Sequence, residues 1–340
     1  MSVTISDVAK EAGVSITTVS RVLNNNYPVR KETREKIEKI IKELNYKPNV
    51  AARSLILKKT SMVGVIVPGI TNLFFPTIVE EINASLKDRG YSISLCNTGG
   101  DYQVEADLVE NIIARNMDGM IVIDPSLENL EKGYYEEINK RIPTIIINGN
   151  TNGFRCNFVS YDEEVGTKEA FDYFLKLGHQ KIAFVRGDRS VSYNVKEKIY
   201  HAFIQDQALS YKKIINVGKG NSMDVVEKAQ TIFENVLCSE EKPTAVFACN
   251  DLMAVGIINA CQRQGLNVPE DMSVIGFDNT LLSNITHPKI TTIDLHMKDI
   301  GKTAAVELID MIEYGKKHRR NLVFDTKLVI RESCCPCPNR

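Results

Sequence analysis

No uninterrupted apolar run in the 340 residues approaches the roughly 20 that a membrane-spanning helix needs. The N-terminal stretch is polar where a signal peptide would be apolar, so no membrane partner is expected and the cytoplasm is the expected location. Neither sign of charge is in excess: 42 Lys and Arg against 43 Asp and Glu, with 43% hydrophobic residues, point to a soluble globular protein of two or three domains. The five histidines show no metal-ligand spacing, and no Gly-x-Ser-x-Gly elbow occurs. Gly301-Lys302-Thr303 imitates the end of a phosphate loop, but His296 stands where the first glycine of that loop belongs. An enzyme built on two open α/β lobes is therefore a distant alternative, and neither a metal nor a cofactor is expected.

The eight cysteines are scattered except for Cys334, Cys335 and Cys337. That cluster has no partner pair at zinc-like spacing and is expected at a frayed end, although a soft metal or a redox role is the alternative reading. Cys96, Cys249 and Cys261 lie among apolar residues, where a free thiol behaves as a small hydrophobe, and the reduced state is expected. There is no internal repeat and no low-complexity segment. No leucine heptad follows Arg331, so a zipper-type tetramer is not expected.

The balanced total conceals an asymmetry. Residues 1–59 hold 12 Lys and Arg against 6 Asp and Glu, leaving the remainder acidic. Within that basic segment, residues 4–24 have the pattern of two short amphipathic helices joined by a tight turn. Thr4 and Asp7 form a capping pair, and Val8, Ala9 and Ala12 make an inner stripe. Gly13 supplies the turn, Ser15 caps the second helix, and Val19, Val22 and Leu23 face inward. Ile16, Thr17, Ser20 and Arg21 are left outward, the arrangement of a helix-turn-helix whose second helix lies in a DNA major groove. Thr17 and Arg21 are one turn apart on that face. An arginine there suits a guanine edge, and Ile16 or the Thr17 methyl suits a thymine methyl. The alternative for Arg21 is a solvated surface residue. A third helix is expected over 31–44 on the stripe Ile37, Ile40, Ile41 and Leu44, poorly capped because Arg30 cannot accept from its amides.

From residue 62 short apolar strands alternate with amphipathic helices. Strands are expected at 63–67, 92–96, 120–123, 144–147, 181–185, 245–248 and 273–277. Helices are expected at 76–89, 104–116, 163–177, 222–237, 251–264 and 297–314. Such alternation implies parallel sheets with helices on both faces. Ligands then sit beyond the carboxyl ends of strands. Asn72, Phe74, Phe75, Asn148, Asn250 and Asp278 follow strands and offer amides, a carboxylate and aromatic rings, a set suited to a polyhydroxylated ligand. The alternatives are that Phe74 and Phe75 are plain core and that Asp278 is a structural loop carboxylate.

The whole chain resembles the LacI/GalR family of transcriptional regulators. The likeness runs through residues 4–24, Thr33-Arg34-Glu35-Lys36-Ile37, Leu44-Asn45-Tyr46-Lys47-Pro48-Asn49 and Ala51-Ala52-Arg53-Ser54-Leu55. It continues through Gly64-Val65-Ile66-Val67-Pro68, Asp118-Gly119, Gly178-His179, Asn250-Asp251, Ile275-Gly276-Phe277-Asp278-Asn279 and Thr291-Thr292-Ile293. The resemblance implies an α/β fold with an N-terminal helix-turn-helix headpiece (1–48) and a hinge helix and linker (49–60). A periplasmic-binding-protein-like core (61–340) of two doubly wound parallel-sheet subdomains would follow. The first subdomain would take 61–161 and 292–325, and the second 162–291 and 326–340, joined by three crossovers. Family base-contacting positions fall on Ile16, Thr17 and Arg21, and phosphate-contacting ones on Thr4, Ser15, Ser20, Asn24 and Tyr46. Ala52 and Leu55 match the minor-groove hinge, with Leu55 as the wedge into a central base step. The alternative is that they form the inner face of an ordinary packed helix.

One departure concerns the effector. Aligned on Ala202-Phe203, Ile199 occupies the place of an arginine that anchors effectors in many members, with Lys198 beside it, and a second arginine often found after position 148 is absent from Asn148-Gly149-Asn150. Three alternatives stay open: that Lys198 or Arg186 compensates, that the effector is less hydroxylated, or that control comes from a protein. The expected function is an allosteric repressor acting as a homodimer on double-stranded operator DNA. A small polar effector, a sugar or sugar phosphate, is favoured over a phosphocarrier protein as co-effector.

Overall fold

The computed structural model describes residues 3–24, 27–46, 59–148, 153–188, 190–315 and 319–337. The chain divides into two compact units, Met1–Thr60 and Ser61–Arg340. The expected hinge helix, with Ala52 and Leu55, lies outside the described residues.

The first unit contains helices α1 (Ile5–Ala12), α2 (Ile16–Asn24) and α3 (Lys31–Glu43). Thr4 caps α1 through a full capping box, its hydroxyl accepting from the Asp7 amide while Asp7 accepts from the Thr4 amide at 2.8 Å. Gly13 ends α1 with φ at +65°, a left-handed conformation that costs a residue without Cβ nothing. Ser15 then accepts from the Thr18 amide at 3.2 Å and opens α2. The start of α3 has no side-chain cap at Arg30, as its chemistry requires. Val8, Ala9, Ala12, Val19, Val22, Ile37 and Ile40 are buried together, with Leu23, Ile41, Leu44 and Tyr46 packed against them. This small core fixes which face of α2 remains outside.

In the second unit, strands β1 (Met62–Val67), β2 (Ser92–Asn97), β3 (Gly119–Ile123), β4 (Thr144–Ile147) and β5 (Phe158–Asp162) join β11 (Asn321–Asp325) in a parallel sheet. Its order is β11-β5-β4-β3-β1-β2. Period-2 alternation divides the side chains between two faces. Val63, Val65 and Val67 pack with Phe75, Ile78 and Ile82 of α4 (Phe74–Lys87). On the opposite face Ile66, Met120 and Val122 pack with Val109 and Ile112 of α5 (Tyr102–Ala114). The short helices α6 (Leu127–Glu131) and α7 (Tyr134–Ile138) complete that side with Leu130, Tyr135 and Ile138. The Ser61 amide donates to an Asp118 carboxylate oxygen at 2.8 Å, pinning the start of β1 to the strand beside it.

The chain changes sheets without a loop. Asp162 ends β5 and caps α8 (Glu163–Lys176), accepting from the Glu164 amide at 2.8 Å. The second sheet is parallel, with order β7-β6-β8-β9. It comprises β6 (Ile182–Arg186), β7 (Lys213–Asn216), β8 (Ala245–Ala248) and β9 (Ser273–Ile275), with helices α9 (Val191–Asp206), α10 (Val225–Leu237), α11 (Asp251–Arg263) and α12 (Leu281–Ile285). The chain returns through β10 (Thr292–Asp294) to α13 (Met297–Tyr314), whose Ala304, Ala305 and Leu308 join the same buried cluster as Ile78 and Ile82. After β11 it passes to β12 (Lys327–Val329), antiparallel to β10. The Thr326 hydroxyl donates to the Asp162 carbonyl at 2.6 Å and accepts from the Gly166 amide at 2.8 Å, tying the first and last crossings together.

Several elements depart from the expected boundaries. Helix α4 starts two residues before Pro76, because the Asn72 side chain accepts from the Phe74 amide at 3.1 Å and proline is tolerated in a first turn. Asp101 caps α5 earlier than residue 104 by accepting from the Gln103 and Val104 amides. Helix α9 and strand β7 were not among the expected elements. The Gly301-Lys302-Thr303 triplet lies inside α13, not on a strand-to-helix loop.

The C-terminal tail corrects another expectation, because the described residues through Cys337 are bonded to the second sheet instead of frayed. The Val274 amide donates to the Ser333 carbonyl at 2.8 Å, and the Cys337 amide donates to the Leu177 carbonyl at 2.8 Å. His179, buried, bridges the Thr244 hydroxyl and the Cys335 carbonyl, each at 3.0 Å. Burial pushes the Cys334 thiol up to about 12, so it is not a ready thiolate.

Helices α10 and α11 meet at Gly256, where an added Cβ would lie 2.5 Å from the Val226 carbonyl oxygen and 2.7 Å from the Ala229 Cβ. Backbone cannot yield as a side-chain tip does. Gly256→Ala is therefore expected to lower stability by about 1 to 3 kcal/mol, read as a lower urea midpoint with unchanged far-ultraviolet circular dichroism.

Candidate functional site

Two surfaces carry chemistry. The first is the outer face of α2. With Val19 and Val22 buried, Ile16, Thr17 and Arg21 are exposed, Ile16 by 48%. About half of the Ile16 side chain is therefore left available to a partner beside Arg21. The Arg21 guanidinium lies 5.0 Å from the centroid of the exposed Tyr27 ring, which holds the cation on this face without removing its hydrogen-bond donors. Of the other residues matched to phosphate positions, Thr4 and Ser15 are exposed at the two helix starts with hydroxyls engaged in capping. Ser20 is partly exposed, and Tyr46 packs on the headpiece core. The Asn24 side chain is outside the described set.

The second surface is a cleft beyond the carboxyl ends of strands from both sheets. It encloses about 350 Å³ of space free of atoms, part of it open to solvent. Asn72, Phe74, Phe75, Asp124, Tyr161 and Leu295 contribute to one wall. Glu163, Ser190, Ser192, Tyr193, Lys196, Asn221, Cys249, Asn250 and Asp278 contribute to the other. Phe74 stands edge-on to Phe75 at 5.1 Å and to Tyr161 at 6.0 Å, so this aromatic wall is both core and lining. The walls touch where Asn72 donates to Asn221 Oδ1 at 3.4 Å, an oxygen that also accepts from the Tyr193 hydroxyl at 2.9 Å.

Helix α9 places Lys196 in the cleft with only 2% of it exposed. Its Nζ lies 3.3 Å from Glu163 Oε1, donates to the Ser192 hydroxyl at 2.8 Å and sits 3.5 Å from the Phe277 ring centroid. Ser192 in turn donates to Glu163 Oε1. Asn250 is occupied structurally: its Oδ1 caps α11 by accepting from the Met253 amide at 2.9 Å, and its amide donates to the Gly220 carbonyl at 2.9 Å. Asp251, beside it, accepts from the Thr280 amide, the Thr280 hydroxyl and the Thr292 hydroxyl at 2.7 to 2.8 Å.

Two aspartates of the cleft, Asp124 and Asp278, are poised toward their neutral forms. Burial, with the neighbouring Glu163 and Glu105 carboxylates, pushes Asp124 up to about 7 against the opposing charge of Lys196. Burial raises Asp278 well above the ordinary range even with Lys196 nearby. Asp251 rises only to about 6, because burial is opposed by its threonine hydrogen bonds.

Residues 4–49 match the bacterial regulatory proteins of the lacI family, and residues 171–334 match the periplasmic binding protein-like domain. The chain is 36% identical over 307 residues to catabolite control protein A of Priestia megaterium, covering 89% of this chain and 91% of that protein. The chain belongs to the LacI family. It is a DNA-binding transcriptional regulator of that family. It is also 33% identical over 332 residues to the NTD biosynthesis operon regulator NtdR of Bacillus subtilis, covering 97% and 99% of the two chains. The lac repressor dimer bound to operator and the anti-inducer ONPF superposes with a TM-score of 0.89 at 27% identity, covering 98% of this chain and 100% of that one. No described helix is long and apolar enough to cross a membrane.

Of the six effector residues expected beyond the strand ends, Asn72, Phe74, Phe75, Asn250 and Asp278 line this one cleft. Asn148 is buried at the end of β4 and is not among the lining residues. Ile199, aligned with the family's anchoring arginine, is buried, and neither Lys198 nor Arg186 reaches the cleft. Lys198 is exposed, and Arg186 is engaged by Glu197 and Asn194. Lys196, three residues earlier than Ile199, is the cation among the described lining residues. Sequence reasoning also missed Asp124, Glu163, Tyr193 and Asn221. A signal for Lys196 existed: Tyr193, Lys196, Tyr200 and Phe203 fall on one helical stripe, and a lysine on an otherwise aromatic inner stripe has to serve a buried charge.

These carboxylates predict a pH dependence. Their pKa values in the folded protein lie above the unfolded value of 3.8, so the stability they contribute is complete below that range and is lost as pH rises through the folded values. The opposing effect of His179, which burial holds below 6.5, operates only at lower pH. Above pH 6.5 and up to about pH 8 the thermal midpoint is expected to fall, and Asp124→Asn to flatten that fall. Parallel profiles for the two proteins would contradict the shift at Asp124.

Proposed function

We propose that this LacI-family regulator is a homodimeric repressor whose operator affinity is set by a small polyhydroxylated effector in the cleft between its two sheets. The domain roles follow the division into a headpiece over residues 1–48, a hinge over 49–60 and a sensor core beyond. Ile16, Thr17 and Arg21 read bases, and Thr4, Ser15, Ser20, Asn24 and Tyr46 hold phosphates, with Ala52 and Leu55 in the minor groove. The observation that carries the DNA-reading role is the outward Ile16, Thr17 and Arg21 face on a helix whose other face is locked into a buried core. Pairing of two copies is supported by the repressor dimer to which the chain is similar, and by Leu281 and Ile285 on α12, exposed by 63% and 65%.

For the effector, support comes from the lining itself. Aromatic rings with carboxylates, hydroxyls and amides suit a ring bearing hydroxyls, which needs donors and acceptors once desolvated. A LacI-family regulator from Enterococcus faecium with bound ribose superposes with a TM-score of 0.70 at 26% identity, covering 81% of this chain. Three carboxylates against one described lysine favour a sugar over a sugar phosphate, since a phosphate would meet like charge. Control of operator affinity then follows from unequal effector affinity for two arrangements of the core, a coupling of about 1 to 3 kcal/mol.

Arg21→Ala is expected to weaken operator binding and to relax one base position by about 1 to 3 kcal/mol in a binding-site selection. An unchanged preference would remove Arg21 from the reading face. Calorimetry across a carbohydrate panel is expected to give heat for at least one monosaccharide. A silent panel, with binding of a phosphocarrier protein instead, would replace the small-molecule effector by a protein one.

A further inference from the structure

We propose that the effector carries a protonated amine, seated against Asp278 with Asp124 and Glu163 beside it, an inference that rests on the cleft being the effector site. Among the described lining residues these three carboxylates face one cation. That cation is already engaged: Lys196 holds Glu163 Oε1 at 3.3 Å, donates to Ser192 at 2.8 Å and lies 3.5 Å from the Phe277 ring centroid. Lys196 therefore balances Glu163, and among the described residues the other two acids have no hydrogen-bonded counter-charge.

Asp278 is the decisive residue. It is 7% exposed, lines the cleft, and its amide donates to the Ile293 carbonyl at 3.0 Å, while no hydrogen bond from the described residues reaches its carboxylate. The protein's structural acids look different. Asp251 accepts three hydrogen bonds, and buried Glu105 accepts from Tyr135, Asn129 and Ser126. The second oxygen of Glu163, Oε2, is buried with no hydrogen-bond partner among the described residues. Leaving a buried carboxylate unsatisfied is costly, and such groups persist where something else is to satisfy them.

The missing group must bring donors and positive charge. A phosphate or carboxylate would add to the repulsion, and a neutral hydroxyl would donate without neutralising. A hard metal ion wants six or more oxygen ligands, and no group of His, Cys, Asp and Glu among the described residues could hold one. An ammonium supplies three donors and one charge, and the Phe74, Phe75 and Tyr161 rings give the remainder of the ligand an apolar wall. Among the described residues, the charged groups facing Asp278 are Lys196, Asp251, Glu163 and Asp124. In the empty cleft burial holds Asp278 and Asp124 toward their protonated forms, so an arriving ammonium displaces protons to solvent.

The test is calorimetry on the full chain with glucose, glucosamine and N-acetylglucosamine, and with the matching galactose and ribose series. Within at least one series the amine is expected to bind on the order of tenfold to a hundredfold tighter than its neutral parent, with the N-acetyl form losing that advantage. Asp278→Asn is expected to abolish the preference for the amine, and Asp124→Asn to reduce it, the latter serving as the readout should the former fail to fold. Neutral parents binding as tightly as their amines in every series would overturn the inference and leave the sugar-effector reading standing. Silence from every compound would overturn both.

Discussion

Removing an ammonium and a carboxylate from water costs several kcal/mol per ion, and only close geometry with further hydrogen bonds offsets it. Lys196 and Glu163 meet that condition through Ser192 and the face of Phe277. The pair governs the cleft because of where it lies. Glu163 is the first residue after the chain leaves the first sheet, and Lys196 is on the second turn of the helix that follows β6. Their contact ties the first crossing to the floor of the second subdomain. It also sets the local field: Lys196 lowers and Glu163 raises the cost of negative charge at both aspartates, Lys196 weighing more at Asp278 and Glu163 more at Asp124.

The crossings supply the mechanical counterpart. Thr326 bonds to Asp162 and Gly166, and Gly166 has no room for a side chain, since a Cβ there would fall 2.4 Å from Ile293 Cγ2 and 2.6 Å from the Thr326 hydroxyl. Three connections therefore pass each other closely. Away from them, the polar contact of Asn72 with Asn221 and Tyr193 spans the cleft. A neutral contact of 3.4 Å is easily exchanged for ligand contacts, whereas the crossings are not. Such a division between a firm axis and a weak latch is what a hinge-bending sensor requires.

How much could be read in advance varied by element. The headpiece was legible because its core is made locally: the Thr4 and Asp7 box, Gly13 and the stripes of α1 to α3 all act within a few residues. Most strands of the parallel sheets were legible as apolar runs. Strand β7, of which Ile215 alone is buried, and α9, whose inner stripe mixes Tyr193, Lys196 and Phe203, were not. The cleft was half legible. Residues directly following strands, such as Asn72 and Asp278, could be placed by topology, but Asn148, equally placed, is buried and not among the lining residues. Asp124 follows β3 in the same way and was overlooked, although its left-handed φ of +49° aims it differently from its neighbours.

By itself the sequence determined the local periodicities, the caps and turns, the basic face of the headpiece and the alternation that builds two parallel sheets, because these depend on neighbours three or four residues apart. The tertiary structure alone decided which charges share a cavity. Glu163, Lys196, Asp124 and Asp278 are distant along the chain, and the protonation of the two aspartates is governed by burial and by distance to the other charges, quantities that exist only once the sheets have closed on each other.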